Sequence, residues 1–225
     1  MDPNRAAWNN RQHALRTALS NPVKHGEAIE LFLTQHAMVH SARMSGTGLW
    51  SFEDEIWHGL DDLFIRSIPP KFEHSIAWCI WHLTRCEDIT MSLLVAGTSQ
   101  LLLQDDWLAR LCVPASDTGN AMDEREIINC SAKIDIPELR AYRIAVGQRT
   151  REIVQALQTR DFKHKTDPVR LQRVLTEGAV LASQQWLIDY WGGLTVAGLL
   201  LMPPTRHTMV HLNEAMKIKK KIAQQ

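Results

Sequence analysis

Ten histidines are spread along this 225-residue chain, and three of them stand where an imidazole could do chemistry. His207 and His211 lie in Arg206-His207-Thr208-Met209-Val210-His211. On a helix they are one turn apart and about 40° apart in projection. Both rings can reach one divalent ion from that spacing. The pair alone is equally compatible with two ordinary polar residues on a helix face. The third, His82, lies in Ala77-Trp78-Cys79-Ile80-Trp81-His82-Leu83-Thr84-Arg85-Cys86-Glu87-Asp88. A helical period puts it on one stripe with Trp78, Cys79, Cys86 and Ile89, apolar apart from the imidazole. An unsatisfied polar group in a core costs about 1–3 kcal/mol, so the ring needs a partner. A backbone carbonyl or a carboxylate would serve, and so would a metal shared with His207 and His211. Three histidines plus an open position make the pattern of a catalytic divalent site, as opposed to a closed structural one.

His36 and His40 are also four apart, on the apolar stripe of an earlier segment. His36 reads as a hydrogen-bonded core histidine. His40 is equally compatible with an ordinary histidine at the core boundary and with a site role, as a fourth ligand, a hydrogen-bond partner to a ligand, or a general base facing the metal. Cys79 and Cys86 share the His82 stripe and read as core filling, with thiolate ligation the less common outcome. His13, His25, His58, His74 and His164 sit among polar or loop-like residues and read as surface groups.

Positioning these residues takes long helices. Periodic apolar residues predict four, over about residues 26–44, 73–96, 137–160 and 205–223. Ser75 is a candidate N-cap for the second, Gly97 stops it, and Pro137 suits the first turn of the third. Lys217, Lys219, Lys220 and Lys221 fall at the end of the fourth, where cations suit the helix dipole, and read as a solvated helix end. Shorter helices are expected over 105–111 and 123–132, around a turn at 117–120, and residues 170–201 read as mostly helical with a break at Gly192-Gly193. No strand alternation and no repeat is present. The expectation is an all-α, four-helix bundle with two long decorated crossovers, in one domain spanning residues 1–225.

Composition narrows the function classes. Apolar residues make up 45% of the chain, and 25 Lys and Arg balance 25 Asp and Glu. A duplex-binding protein usually carries a basic excess, and no recognition helix, zinc-finger spacing or basic heptad region is present. Specific nucleic-acid binding is therefore not expected. The longest apolar run, 192–204, is too short and glycine-rich to span a bilayer. The four cysteines form no C-x-x-C pair and no secretory signal is present, so they read as free thiols and the protein as cytoplasmic. No phosphate-cradling glycine loop and no Ser-His-Asp arrangement supports phosphoryl transfer or serine hydrolysis.

The run Ser75-Ile76-Ala77-Trp78-Cys79-Ile80-Trp81-His82-Leu83, followed by Glu87-Asp88, resembles the second-helix motif of the DinB/YfiT-like superfamily. Arg206-His207-x-x-x-His211-Leu212 resembles its last-helix motif. The order also fits, with one histidine on the second helix and a pair on the fourth. The resemblance covers roughly residues 26–221. It implies an up-down-down-up bundle and a nickel or zinc site held by His82, His207 and His211. It also implies an enzyme of the kind that uses a low-molecular-weight thiol on a small-molecule substrate. The family name refers to DNA damage and implies no DNA binding. Residues 170–202 are longer than in simpler members and are a candidate wall of the pocket.

Two functional expectations follow. In one, coordination lowers the pKa of a thiol, or of water, and makes it a nucleophile as transferase, isomerase or hydrolase. In the other, the protein is a non-catalytic metal-binding stress-response module or a homodimeric interaction protein, with exposed apolar residues in 194–202 as its interface.

Overall fold

Thirteen α-helices, and no strand, make up the computed structural model over the residues it describes, 2–224. In chain order they are α1 (Pro3–Ser20), α2 (His25–Val39), α3 (Ala42–Ser45), α4 (Phe52–Trp57), α5 (Asp62–Arg66), α6 (Ile76–Asp88) and α7 (Trp107–Arg110). They continue with α8 (Glu124–Lys133), α9 (Ile136–Ala156), α10 (Pro168–Thr176), α11 (Gln185–Gly192), α12 (Val196–Leu200) and α13 (Thr208–Ile222).

Local signals set most of the ends. The Ser75 hydroxyl accepts the Trp78 N–H and starts α6. Asp123 and Glu126 form a reciprocal capping box at the start of α8. Asp135 caps α9, with Pro137 in its first turn. Each supplies an acceptor to an N–H group that the helix itself leaves unpaired.

α6 is buried along its whole length. Its first two turns are almost wholly apolar, its buried charges Arg85, Asp88 and Glu87 are paired, and such a helix belongs in the centre of a fold, where α6 contacts α5, α8, α9 and α13. α2 contacts both α9 and α13, and α1 packs on α2. Beyond Asp88 the chain continues as a wider π-helical stretch, Ile89–Ala96, ended by Gly97 in the left-handed region at φ +73. Arg170 donates to the carbonyls of Leu94 and Val95, and Arg173 to that of Gly97. These guanidinium groups satisfy carbonyls that the helix end leaves free.

Two apolar clusters result. One joins α6 to α9 and α13 through residues such as Trp81, Leu139 and Leu212. The other gathers α1, α2, α10, α11 and α12 around Ile89–Ala96, with Phe32, Leu94 and Trp191 inside.

Several expectations need correction. The helix expected over 26–44 ends at Val39, because His40 is extended and Ser41 caps the separate α3. Asp54 reinforces the break by accepting the Ala42 N–H at 2.8 Å. α1 was not anticipated. Its buried face is only Trp8, Leu15, Ala18 and Leu19, a sparse stripe in a polar segment. The last helix is regular only from Thr208; Met202–His207 before it is π-helical. Lys219 is not a solvated end group: its ammonium donates to the carbonyls of Glu55, Ile56 and His58 at the end of α4. Residues 194–202 are not an exposed apolar face, since all are buried or half-buried. The four cysteines are free. No helix among the described residues is long and apolar enough to cross a membrane.

Candidate metal centre

α6, the end of the Met202–His207 stretch and the first turn of α13 bring three imidazoles together. His82 Nε2 lies 3.2 Å from His207 Nε2. One nitrogen from each of His82, His207 and His211 lies within 4.8 Å of the others. Tetrahedral zinc with Zn–N bonds of about 2.0–2.1 Å needs nitrogens about 3.3 Å apart. His82 is almost fully buried, and the other two rings are half-buried.

Two neighbours fix which nitrogen two of the rings offer. His82 Nδ1 lies 2.6 Å from the Thr118 carbonyl. A carbonyl only accepts, so Nδ1 carries the proton and Nε2 keeps its lone pair. His211 Nδ1 likewise faces Glu214 Oε2 at 3.1 Å. Burial pushes the Glu214 carboxyl up, but hydrogen bonds from His211 and His74 overcome this and hold it below the usual carboxylate range. Glu214 is therefore an acceptor, and the His211 Nε2 is a free lone pair. Orienting partners of this type are what fix the tautomer of a metal-ligating histidine. Burial, with the neighbouring His211, lowers the His82 pKa to about 3. Burial, His82 and His211 push His207 well below its ordinary value. Neutral imidazole is the form that binds a metal.

The backbone around Thr118 is built for this contact. Gly119 has φ +78, and a Cβ there would come within 2.4 Å of the Trp81 ring. Only glycine meets both conditions, and it lets the turn deliver the Thr118 carbonyl onto His82.

His74 is not the surface residue its sequence context suggests. Its ring stacks on Trp78 at 3.9 Å, and Trp78 stacks on His82 at 4.7 Å. Its Nδ1 donates to Glu214 Oε1 at 2.7 Å, so Glu214 ties His74 to His211. His25 is half-buried against Phe162, while His13, His58 and His164 are exposed. Cys86 Sγ is 3.9 Å from His82 Nε2, with its pKa pushed up to about 12 by burial. Cys79 is buried beside His74 and Glu214. Neither thiol belongs to the three-histidine ligand group.

His40 goes elsewhere. Its Nε2 lies 3.0 Å from Glu87 Oε2, and His36 Nε2 lies 2.7 Å from Glu87 Oε1. Arg143 donates to Glu87 Oε2 and Thr150 to Oε1, both at 2.8 Å. All five residues are fully or almost fully buried. Burial alone would raise the Glu87 carboxyl; His40, His36 and Arg143 outweigh it and hold it well below the usual range. Burial lowers both histidines, His40 the more strongly, with Arg143 adding to its shift. His36 is the hydrogen-bonded core residue expected. His40 makes no hydrogen bond to the three-histidine group among the described residues. His36, His40 and Glu87 also bring ligand atoms within 4.8 Å of one another, but here the Arg143 guanidinium already pairs with the Glu87 carboxylate.

Thr118, Glu214 and His74 were missed as site residues. Glu214 had a local signal, three residues beyond His211 on one helix. His74 had one too, four residues before Trp78 and eight before His82. Thr118 acts through its backbone and had none.

The family model of the DinB superfamily matches residues 54–214. That span covers most of the chain, which therefore belongs to the DinB superfamily. No curated protein shows significant similarity to it.

Proposed function

We propose that this protein binds one divalent ion, nickel or zinc, through the Nε2 atoms of His82, His207 and His211. One observation carries the reading. The Thr118 carbonyl and the Glu214 carboxylate turn the lone pairs of His82 and His211 inward, beside a His207 Nε2 only 3.2 Å from His82. Without a cation, the neutral rings have one hydrogen bond to share, from His207 Nε2–H to His82 Nε2, and the remaining converging lone pairs lie in a half-buried space, where such groups are costly without a partner. The buried His207 Nδ1 has no partner among the described residues either.

We infer further that α2, α6, α9 and α13 are the four core helices of a DinB-type bundle in up-down-down-up order. Their mutual contacts and their order in the chain support this. The activity we propose is metal-dependent, with a low-molecular-weight thiol or water as nucleophile and a small-molecule electrophile as substrate. When bound, the ion lowers the pKa of a thiol or water at its open position. The chain's own part is to supply three imidazole nitrogens and to orient them. Trp78, stacked between His74 and His82, shields one face of the His82 ring.

Metal analysis of protein purified without a polyhistidine tag tests the first step. About one nickel or zinc per chain is expected. Thiol-transfer assays with and without the ion test the second. Stoichiometric metal with no turnover on any thiol or hydrolytic substrate would favour the non-catalytic reading.

A further inference from the structure

A second concavity lies apart from the three histidines, between α1, the 161–163 turn, α12 and the Met202–His207 stretch. Its volume is about 570 Å3, within the roughly 300–1,000 Å3 usual for small-molecule sites. Its wall is mainly apolar, formed by residues such as Leu19, Phe162, Leu194, Ala197 and Leu201. Its charged groups are all cationic: Arg16, Lys163 and Arg206 line it, and no carboxylate does. None of these three side chains makes an ion pair or hydrogen bond among the described residues. Arg66, Arg85, Arg143 and Arg173, by contrast, each pair with a carboxylate, from Asp62, Asp88, Glu87 and Glu177. A smaller concavity of about 410 Å3 adjoins it and shares Arg16 and Arg206.

We propose that this cavity binds a single-chain anionic amphiphile, a carboxylate on an unbranched apolar tail. Arg16 and Arg206 hold the carboxylate, and the leucine-rich wall takes the tail. A sugar or nucleotide fits poorly, because the uncharged hydroxyl groups in the wall are those of Ser20, Tyr190 and Thr195 alone, the last already accepts from the Gly198 N–H, and polar ligands need several placed partners. A neutral lipid would leave three unpaired cations unused. Arginine suits the head group because its planar fork matches a carboxylate. No lining residue is one of the three histidines, so the inference does not rest on the metal reading.

Isothermal titration of the full chain with decanoate, kept below its micelle concentration, tests this. Saturable binding of one decanoate per chain is expected. Arg16→Gln and Arg206→Gln should each weaken it about tenfold, the loss typical of one charge-assisted hydrogen bond. Decanol should bind about tenfold more weakly than decanoate, and acetate should give no saturable heat. Ala197→Trp should fill the cavity and abolish binding, while Arg125→Gln, an exposed cation elsewhere, should match wild type. Circular dichroism establishes that each variant is folded, and Arg16, exposed on α1 without a partner, can change without disturbing packing. No saturable decanoate binding to the wild-type chain overturns the proposal. So does wild-type affinity in both arginine variants. Sedimentation with phosphatidylglycerol vesicles in the absence of monomer binding also overturns it, by assigning the cations to a lipid surface.

Discussion

His82 Nε2 and His207 Nε2 lie 3.2 Å apart although 125 positions separate them in the chain. Nothing local produces this contact. It exists because α6 and the start of α13 are packed against each other, and because Thr118 fixes the His82 ring from behind. If the contact is one edge of a metal site, the three histidines act as a unit. His82→Ala, His207→Ala and His211→Ala should each lower metal content from about one per chain to a small fraction. Elemental analysis of untagged protein measures it. Full, tight occupancy in all three variants would place the ion elsewhere.

The groups behind the ligands should matter almost as much. Glu214→Ala removes the acceptor shared by His211 and His74. Gly119→Ala forces the turn that presents the Thr118 carbonyl to move, because its Cβ meets Trp81. Loss of such orienting partners typically costs 10–100-fold in metal affinity. Competition against a chromophoric chelator measures the change. Unchanged affinity in both variants would show that the rings need no support from these groups.

Acid should destabilise the metal-free protein through His82. Its pKa is lowered from 6.5 to about 3 on folding, chiefly by burial. Between those values the unfolded chain binds a proton that the folded chain does not, so stability falls as pH falls. The contribution is fully present above pH 6.5 and is lost progressively toward pH 3. For a shift of this size the loss between pH 7 and pH 5 is about 2 kcal/mol. Denaturant unfolding at the two pH values, compared with His82→Gln, isolates it. Equal pH dependence in the two proteins would mean that the His82 environment is wetter than its burial implies.

Legibility in the sequence followed the range of the interactions. Ser75 and Asp123 set helix starts through bonds to residues three positions on, Pro137 through its fixed φ in a first turn, and Gly97 by entering the left-handed region, all of them local effects of residue type. The three histidines stood out because one was stranded on an apolar stripe and two shared a helical spacing. The break at His40 did not stand out, because Asp54 completes it from 12 residues away. The role of His40 was unreadable for the same reason. Its partner Glu87 sits on α6 one residue beyond Cys86, yet it joins His40 and Arg143 in a cluster apart from His82.

That second cluster yields the last prediction. Glu87 accepts from His36, His40, Thr150 and Arg143, all inside the protein. Arg143 is held in turn by Glu53 and the Val39 carbonyl. Gly147 leaves the space that the His40 ring fills, since a Cβ there would come within 2.7 Å of His40 Nδ1. The cluster thus locks α2, α6 and α9 together and need not touch the metal. His40→Ala should keep wild-type metal content and lose about 1–3 kcal/mol of stability, the usual cost of an unsatisfied buried partner plus a small void. Glu87→Ala should be worse, at about 3–5 kcal/mol, because it strands the buried Arg143 charge. Denaturant unfolding and elemental analysis on the same samples separate the two effects. If His40→Ala loses metal as completely as His82→Ala while remaining folded, the imidazole is part of the metal site and the two clusters are one.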